Sequence, residues 1–385
     1  MLKFHFMTLM PYAALDMAER AKYNSAWVTL PNSLYDPKQG RRLYDHYIDD
    51  LVRADRLGFD GVCVNEHHQT AYGMMPSPVV IAAILARETR NATIAILGSA
   101  IPLRDHPLTL AEEHAMIDTI SGGRLITGFV RGIGAEYHAF GTNPAKSHER
   151  FHEAHDLIIR AWTEPGPFAF EGKHYNFNYV NPWPTPYQKP HPPIWIPSQG
   201  STETIEFASH PDRRYTYLQT FSPAAQVRRF LDAYREQAEK YGYTAARSQT
   251  GWAVPVFVGD TDAKAVAQAR PHFDAFRNAF AKMPLPVLLP PGYTSVDSLV
   301  RLAARGNVSH TVTLEDAIRD GMIICGSAAT VLEKLEGYYD DLGFGHLLAD
   351  LHFGTMPSEM TAENQTRFAE EVMAPFRAKA AAPSS

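Results

Sequence analysis

Ile120-Ser121-Gly122-Gly123-Arg124-Leu125-Ile126-Thr127-Gly128-Phe129-Val130-Arg131-Gly132 decides the fold. A helical pattern runs into Ser-Gly-Gly, an apolar run follows, and a cation stands where that run surfaces into a loop. Glycines that turn the chain ahead of a buried strand mark the junction of a strand–helix unit. In α/β proteins ligands lie at the carboxyl ends of parallel strands, so Arg131 is placed to hold an anion. Taken alone, an Arg after a buried strand is as readily a surface residue.

Working outward, strand and helix patterns alternate at intervals of roughly 30 residues, as parallel strands require. Strands are expected at 2–9, 60–65, 92–98, 125–130, 193–198, 214–219, 251–258, 323–326 and 345–352. Helices are expected at 44–57, from Pro76-Ser77-Pro78 to Arg90, and at 106–119, 147–163, 202–209, 223–241, 261–277, 313–320, 327–342 and 359–378. Gly172–Phe177 reads as the edge of a short hairpin. Seven or eight units without a composition break predict an α/β fold, a (β/α)8 TIM barrel with insertions on its carboxyl-terminal face. One domain is expected over 1–378, with insertions at 11–40, 165–192 and 278–310 and a disordered tail at 379–385. The first insertion holds Tyr12, Tyr23, Trp27 and Tyr35, which favours a packed loop.

The 385 residues are 45% hydrophobic and 20% charged, with a net charge of −6. That balance is ordinary for a globular protein, and it offers no basic field for nucleic acid. The two cysteines, Cys63 and Cys325, sit in apolar runs. They exclude a disulfide scaffold and a cysteine metal site, and read as buried thiols in a reducing compartment. Met1–Met7 is too soon interrupted to be a signal peptide. No run approaches the ~20 apolar residues of a membrane span, so a cytoplasmic protein is expected.

Four further stretches carry chemistry. Asn65-Glu66-His67-His68 follows the second strand, where imidazole is the natural acid or base. A metal there would want ligands from other strand ends, and the first strand, Phe4-His5-Phe6, has no His-x-His; no metal is expected. Leu97-Gly98-Ser99-Ala100 leaves room for something flat against the backbone, or is an ordinary tight turn. Pro197-Ser198-Gln199-Gly200-Ser201-Thr202-Glu203-Thr204 runs from a strand into a helix N-terminus, a ready anion site and equally a plain N-cap. Arg150 sits in the first turn of the 147–163 helix, where the dipole disfavours a cation. Its retention there hints at an anionic partner. Tyr12, Trp27, Tyr72, Trp183 and Phe221 are aromatics expected near the mouth, lining a partly apolar pocket or packing loops.

These residues together resemble the bacterial luciferase-like flavin-dependent monooxygenases. The resemblance spans about residues 2–376. It is carried by Glu66-His67-His68, by His106-Pro107-Leu108-Thr109-Leu110-Ala111-Glu112-Glu113 through Asp118, by Ser121-Gly122-Gly123-Arg124-Leu125 and Gly128, and by Gln188-Lys189-Pro190-His191-Pro192-Pro193-Ile194-Trp195. Gly326-Ser327, Gly343-Phe344 and Glu371–Pro375 fit the family's closing segment. The resemblance implies reduced FMN on the carboxyl face of the barrel. Arg131, with Ser198, Gly200, Ser201 and Thr204, is similar to the phosphate site, and Arg150, or less closely His148, to a second phosphate cation. Gly98-Ser99 matches a non-prolyl cis peptide against the flavin ring in several members. His67 matches the histidine near the reacting face, with Glu66 or His68 expected to orient it. Val130 stands where luciferase itself has a reactive cysteine, which argues against luciferase proper.

The implied reaction is that of a two-component flavin-dependent monooxygenase. Reduced FMN, supplied by a separate NAD(P)H:flavin reductase, would react with O2 through a C4a-(hydro)peroxyflavin and oxygenate a small, partly apolar organic molecule. No Gly-x-Gly-x-x-Gly follows the first strand, which agrees with a separate reductase. By the same resemblance the chain forms a homodimer or homotetramer through helices 77–90 and 107–119. Alternatives are an F420-dependent oxidoreductase on the same barrel, a metal-dependent barrel hydrolase at Glu66-His67-His68, and a non-catalytic flavin-binding paralogue.

Overall fold

The computed structural model describes residues 1–294 and 311–381. In chain order its strands are β1 (Lys3–Thr8), β2 (Gly61–Val64), β3 (Thr93–Ala100), β4 (Leu125–Val130), β5 (Phe168–Glu171), β6 (Asn176–Val180), β7 (Ile194–Ser198), β8 (Thr216–Thr220), β9 (Thr250–Gly259), β10 (Ile324–Ser327) and β11 (His346–His352). Eight of them, β1, β2, β3, β4, β7, β8, β9 and β11, pair in parallel around a ring that closes between β8 and β9. Helices intervene between successive staves. This is the expected (β/α)8 barrel.

Phe4 and Phe6 pack outward on Phe368, Phe376 and Phe59. The alternate residues His5 and Met7 therefore face the barrel axis. Register carries that parity around the ring: Met7 is level with Cys63 on β2 and with Asp350 on β11, and Asp350 with Pro255 on β9. The base of the interior is filled by His5, Trp195 and His346, whose rings lie 4.6–5.2 Å apart.

The opening stretch folds as its residues direct. The helix Pro107–Ser121 ends at Gly122, whose left-handed φ of +69° lets its N–H cap the last turn. Arg124 then turns under the barrel. It donates to Ser121 O, Ala92 O, Ala86 O, Thr89 O and Thr89 Oγ1 at 2.7–3.2 Å. Asp118 receives the backbone and side-chain N–H groups of Gln188, both at 2.8 Å, while the Gln188 amide also reaches Leu125 O. Gly128 is required sterically, because a Cβ there would lie 2.4 Å from Ile96 O. β3 and β4 thus approach closely beside a register shift between Ile96 and Ser99.

Several boundaries differ from the sequence reading. Asp36 caps a helix that starts at Pro37, so Pro37–Arg56 absorbs the end of the first predicted insertion. Gly134–Phe140, unanticipated, is a seven-residue helix after β4. β10 is no stave: among the described residues it pairs only with the outer half of β9, which at ten residues overruns the barrel. The 165–192 excursion carries the antiparallel pair β5–β6. Of the expected 278–310 insertion, residues 295–310 lie outside the described residues. The last helix continues to Ala381, and Lys379 pairs with Glu336 at 2.7 Å, where a loose tail was expected from 379; residues 382–385 lie outside the described residues.

Candidate active site

The carboxyl ends of β1, β2, β3, β4, β7 and β8 open toward one face. His67 stands three residues beyond β2 and is partly exposed, its side chain 19% accessible. Its Nδ1 lies 3.0 Å from the carboxylate of Glu136, on the helix after β4. Glu136 is buried, and its other oxygen accepts the Ile133 N–H at 2.8 Å. A carboxylate beside Nδ1 makes that nitrogen the donor, leaving the Nε2 lone pair free to take a proton. The edges of Trp27 and Tyr72 hold the ring at 5.3 and 5.1 Å.

Glu66 and His68 do not orient His67, contrary to the sequence reading. Glu66 is buried between His68 Nε2 at 2.8 Å and the Arg104 guanidinium at 2.6 Å. His68 packs on Phe140. The reason is chain geometry: past the strand end the three residues fan to different neighbours. Glu136 lacked a signal in the sequence beyond its nearness to Arg131.

Arg131 stacks its guanidinium 4.3 Å over the Tyr293 ring and donates to Ser147 Oγ and Tyr293 O, each at 3.1 Å. Ser147 opens the helix Ser147–Thr163. His148, next along, is held below the usual imidazole range by burial and then by the nearby Arg131 charge. Arg150 is directed elsewhere. It donates to Pro102 O at 2.8 Å and Arg104 O at 3.0 Å, approaches Asp105 and lies over Tyr175. It braces the loop after β3, because the first helical turn swings it toward those carbonyls. The imidazole beside Arg131 is His148, which the same burial and the Arg131 charge keep toward its neutral form.

Ser201 caps the helix Thr202–Ser209, its Oγ accepting from the Thr204 N–H and hydroxyl at 3.3 and 3.2 Å. Gly200 sits at φ +100°, and a Cβ there would strike Phe230 at 2.0 Å. Ser198 Oγ accepts the Gly200 N–H at 3.0 Å. Glu203 receives the Ser201 hydroxyl at 2.8 Å. Its carboxyl is held low by its own backbone N–H and by that hydroxyl. A guanidinium, several hydroxyls and a helix N-terminus suit a phosphate monoester, which would displace Glu203 from Ser201.

The non-prolyl cis bond is Leu97–Gly98, one residue before the Gly98-Ser99 bond expected. Ser99 is fully buried and turns its hydroxyl away from the axis, 3.5 Å from His114 Nε2. Only its backbone is left for a ligand in the barrel mouth. Among the aromatics, Trp27, Tyr72, Phe221 and Phe276 form one chain of rings 5.0–6.3 Å apart. Tyr12 instead packs on Tyr35 and accepts the Asp36 N–H. Trp183 is 82% exposed on the surface. No described helix is long and apolar enough to cross a membrane.

A protein of Sinorhizobium fredii is 28% identical over 87% of this chain and 94% of its own length. The oxygenase component of a flavin-dependent trigonelline monooxygenase from Acinetobacter baylyi is 26% identical, covering 80% of this chain and 85% of its own. The oxygenating constituent of 3,6-diketocamphane monooxygenase from Pseudomonas putida, solved with FMN, superposes with a TM-score of 0.74 at 22% identity and 98% coverage of both chains. The family model described as luciferase-like monooxygenase matches residues 23–346. That span takes in His67, Glu136 and Arg131, together with the phosphate-type loop, six of the eight staves in full (β2, β3, β4, β7, β8 and β9) and the first residue of β11. The chain therefore belongs to the luciferase-like monooxygenase family.

Proposed function

We propose that the chain is the oxygenase of a two-component system. It takes reduced FMN from a separate NAD(P)H:flavin reductase and, with O2, oxygenates a small, partly apolar organic substrate in the cytoplasm. The observation that supports this best is a division of the barrel mouth. At one pole stand Arg131, Ser147, His148 and the Ser201-capped helix N-terminus. At the other stands the His67–Glu136 couple among aromatic rings.

When bound, reduced FMN supplies the electrons that activate O2. The residues here do the rest. Arg131 and the hydroxyls of Ser198, Ser201 and Thr204, with the Gly200 backbone, hold the phosphate. The backbone at Gly98 and Ser99, where the glycines of β3 and β4 approach closely, would lie against the flavin. His67 takes or returns a proton at Nε2, and Glu136 stabilises the imidazolium that forms. Trp27, Tyr72, Phe221 and Phe276 exclude water from the reacting centre. Glu66 and His68 shape the loop that carries His67.

The same reading includes a dimer. Val80, Met116 and Ile120 are large apolar side chains 47–59% exposed on the neighbouring helices Pro78–Glu88 and Pro107–Ser121. An anaerobic fluorescence titration with reduced FMN and with reduced F420 tests the cofactor. FMN binding with no F420 binding is expected; the reverse would make the chain an F420 enzyme on this barrel.

A further inference from the structure

Beside the His67–Glu136 couple lie three polar groups that the flavin reading does not use: the Tyr72 hydroxyl, the Arg277 guanidinium and the Asp350 carboxyl. Tyr72 is buried, with its ring between Trp27 and Phe276. Among the described residues its hydroxyl has no hydrogen-bond partner, and it lies within electrostatic range of both Asp350 and Arg277. Arg277 is partly buried and, among the described residues, makes no hydrogen bond and no ion pair. Asp350 faces the axis from β11, fully buried, and among the described residues neither of its carboxyl oxygens has a side-chain partner. Burial keeps it protonated well above the usual carboxylate range.

Arg277 is not on a loose segment. It belongs to the π-helical turn Ala275–Phe280. The carbonyls that follow are tied to the first insertion, Ala279 O by Arg20, Phe280 O by Trp27 Nε1 and Lys282 O by Ser25. Single π turns recur at functional sites. A desolvated guanidinium without a partner is costly, and burial holds its pKa below the ordinary value. Its planar fork matches a carboxylate at two points, and a tyrosine hydroxyl supplies a third donor. A neutral Asp350 below adds no repelling charge.

We propose that Arg277 and Tyr72 form the receptor for a carboxylate on the substrate, whose apolar body lies against Trp27, Phe221 and Phe276 with its reacting end toward His67. The substrate class is then a small, preferably planar organic acid. This rests on the oxygenase reading for the word substrate, but the anion site itself does not need flavin.

The test is anaerobic calorimetric titration of the full chain, without flavin and loaded with reduced FMN, using three acid–amide pairs: benzoate and benzamide, nicotinate and nicotinamide, hexanoate and hexanamide. At least one acid is expected to bind about tenfold more tightly than its amide. Arg277→Met should abolish that preference, Arg277→Lys retain part of it, and Tyr72→Phe weaken it severalfold, with FMN affinity unchanged in all three. A melting curve for each variant separates lost binding from lost folding, and Tyr72→Phe, the smallest change, carries the test if Arg277→Met unfolds. Acids that bind no better than amides, or a preference that survives both Arg277→Met and Tyr72→Phe, would overturn the proposal. Acid preference without any binding of reduced FMN would sink the oxygenase reading and leave the anion site standing. FMN binding without acid preference would do the opposite.

Discussion

Arg124 and Arg131 are seven residues apart, flanking the two ends of β4, and do unrelated work. Arg124 spends its guanidinium on backbone carbonyls and Thr89 beneath the barrel. Arg124→Met strands those acceptors and should lower stability by about 3 kcal/mol, read as a fall in Tm, with FMN affinity unchanged in the folded fraction. Arg131→Met should leave Tm nearly unchanged and weaken reduced FMN roughly tenfold to a hundredfold, by titration against riboflavin, which lacks the phosphate. His67→Ala and Glu136→Gln should both alter the pH dependence of flavin reoxidation by O2 while reduced FMN still binds normally; altered binding with an unaltered profile would remove the couple from the chemistry. The sequence showed His67 and Arg131 because a strand end followed by an ionisable group is a local pattern. It hid Glu136, whose role depends on two loops meeting, and it misdirected Arg150, since the helix dipole says nothing about which carbonyls lie within reach.

At the level of elements, the alternation of apolar runs and amphipathic helices made the barrel readable, since each unit is local. What escaped was context. Gly134–Phe140 is too short for a period to register, and β10 has a stave's composition but pairs outside the ring because β9 is ten residues long. Nor does the apolar character of β11 reveal that Asp350 is fully buried inside it, without a side-chain partner among the described residues. Because burial raises its folded pKa above the unfolded value, the unfolded chain releases a proton that the folded one keeps. Stability is therefore lost as pH rises above the unfolded carboxyl range. Asp350→Asn removes that loss and should raise Tm at about pH 8 more than at about pH 5; an equal shift at both values would show that Asp350 is ionised or partnered in the native protein.

For the whole molecule the histidines set the opposite slope. His5 and His114 are pushed down to about 3, and His346 and His352 to about 4, chiefly by burial. Unfolding lets them gain protons below their ordinary value of 6.5, so their contribution is intact above that pH and is lost as pH falls toward 4. Tm should drop steeply over that window; a flat profile would mean these rings are charged in the fold. Assembly is tested at the same scale: Met116→Lys or Ile120→Lys should shift a dimer toward monomer by light scattering, whereas an unchanged mass would move the interface elsewhere. The most direct measurement is rapid mixing of the anaerobic protein–reduced FMN complex with O2 while recording flavin absorbance. Oxidised flavin should return more slowly from the complex than from free reduced FMN, and His67→Ala should change that rate. Return at the rate of free flavin, or failure of reduced FMN to bind at all, would contradict an FMN-dependent oxygenase.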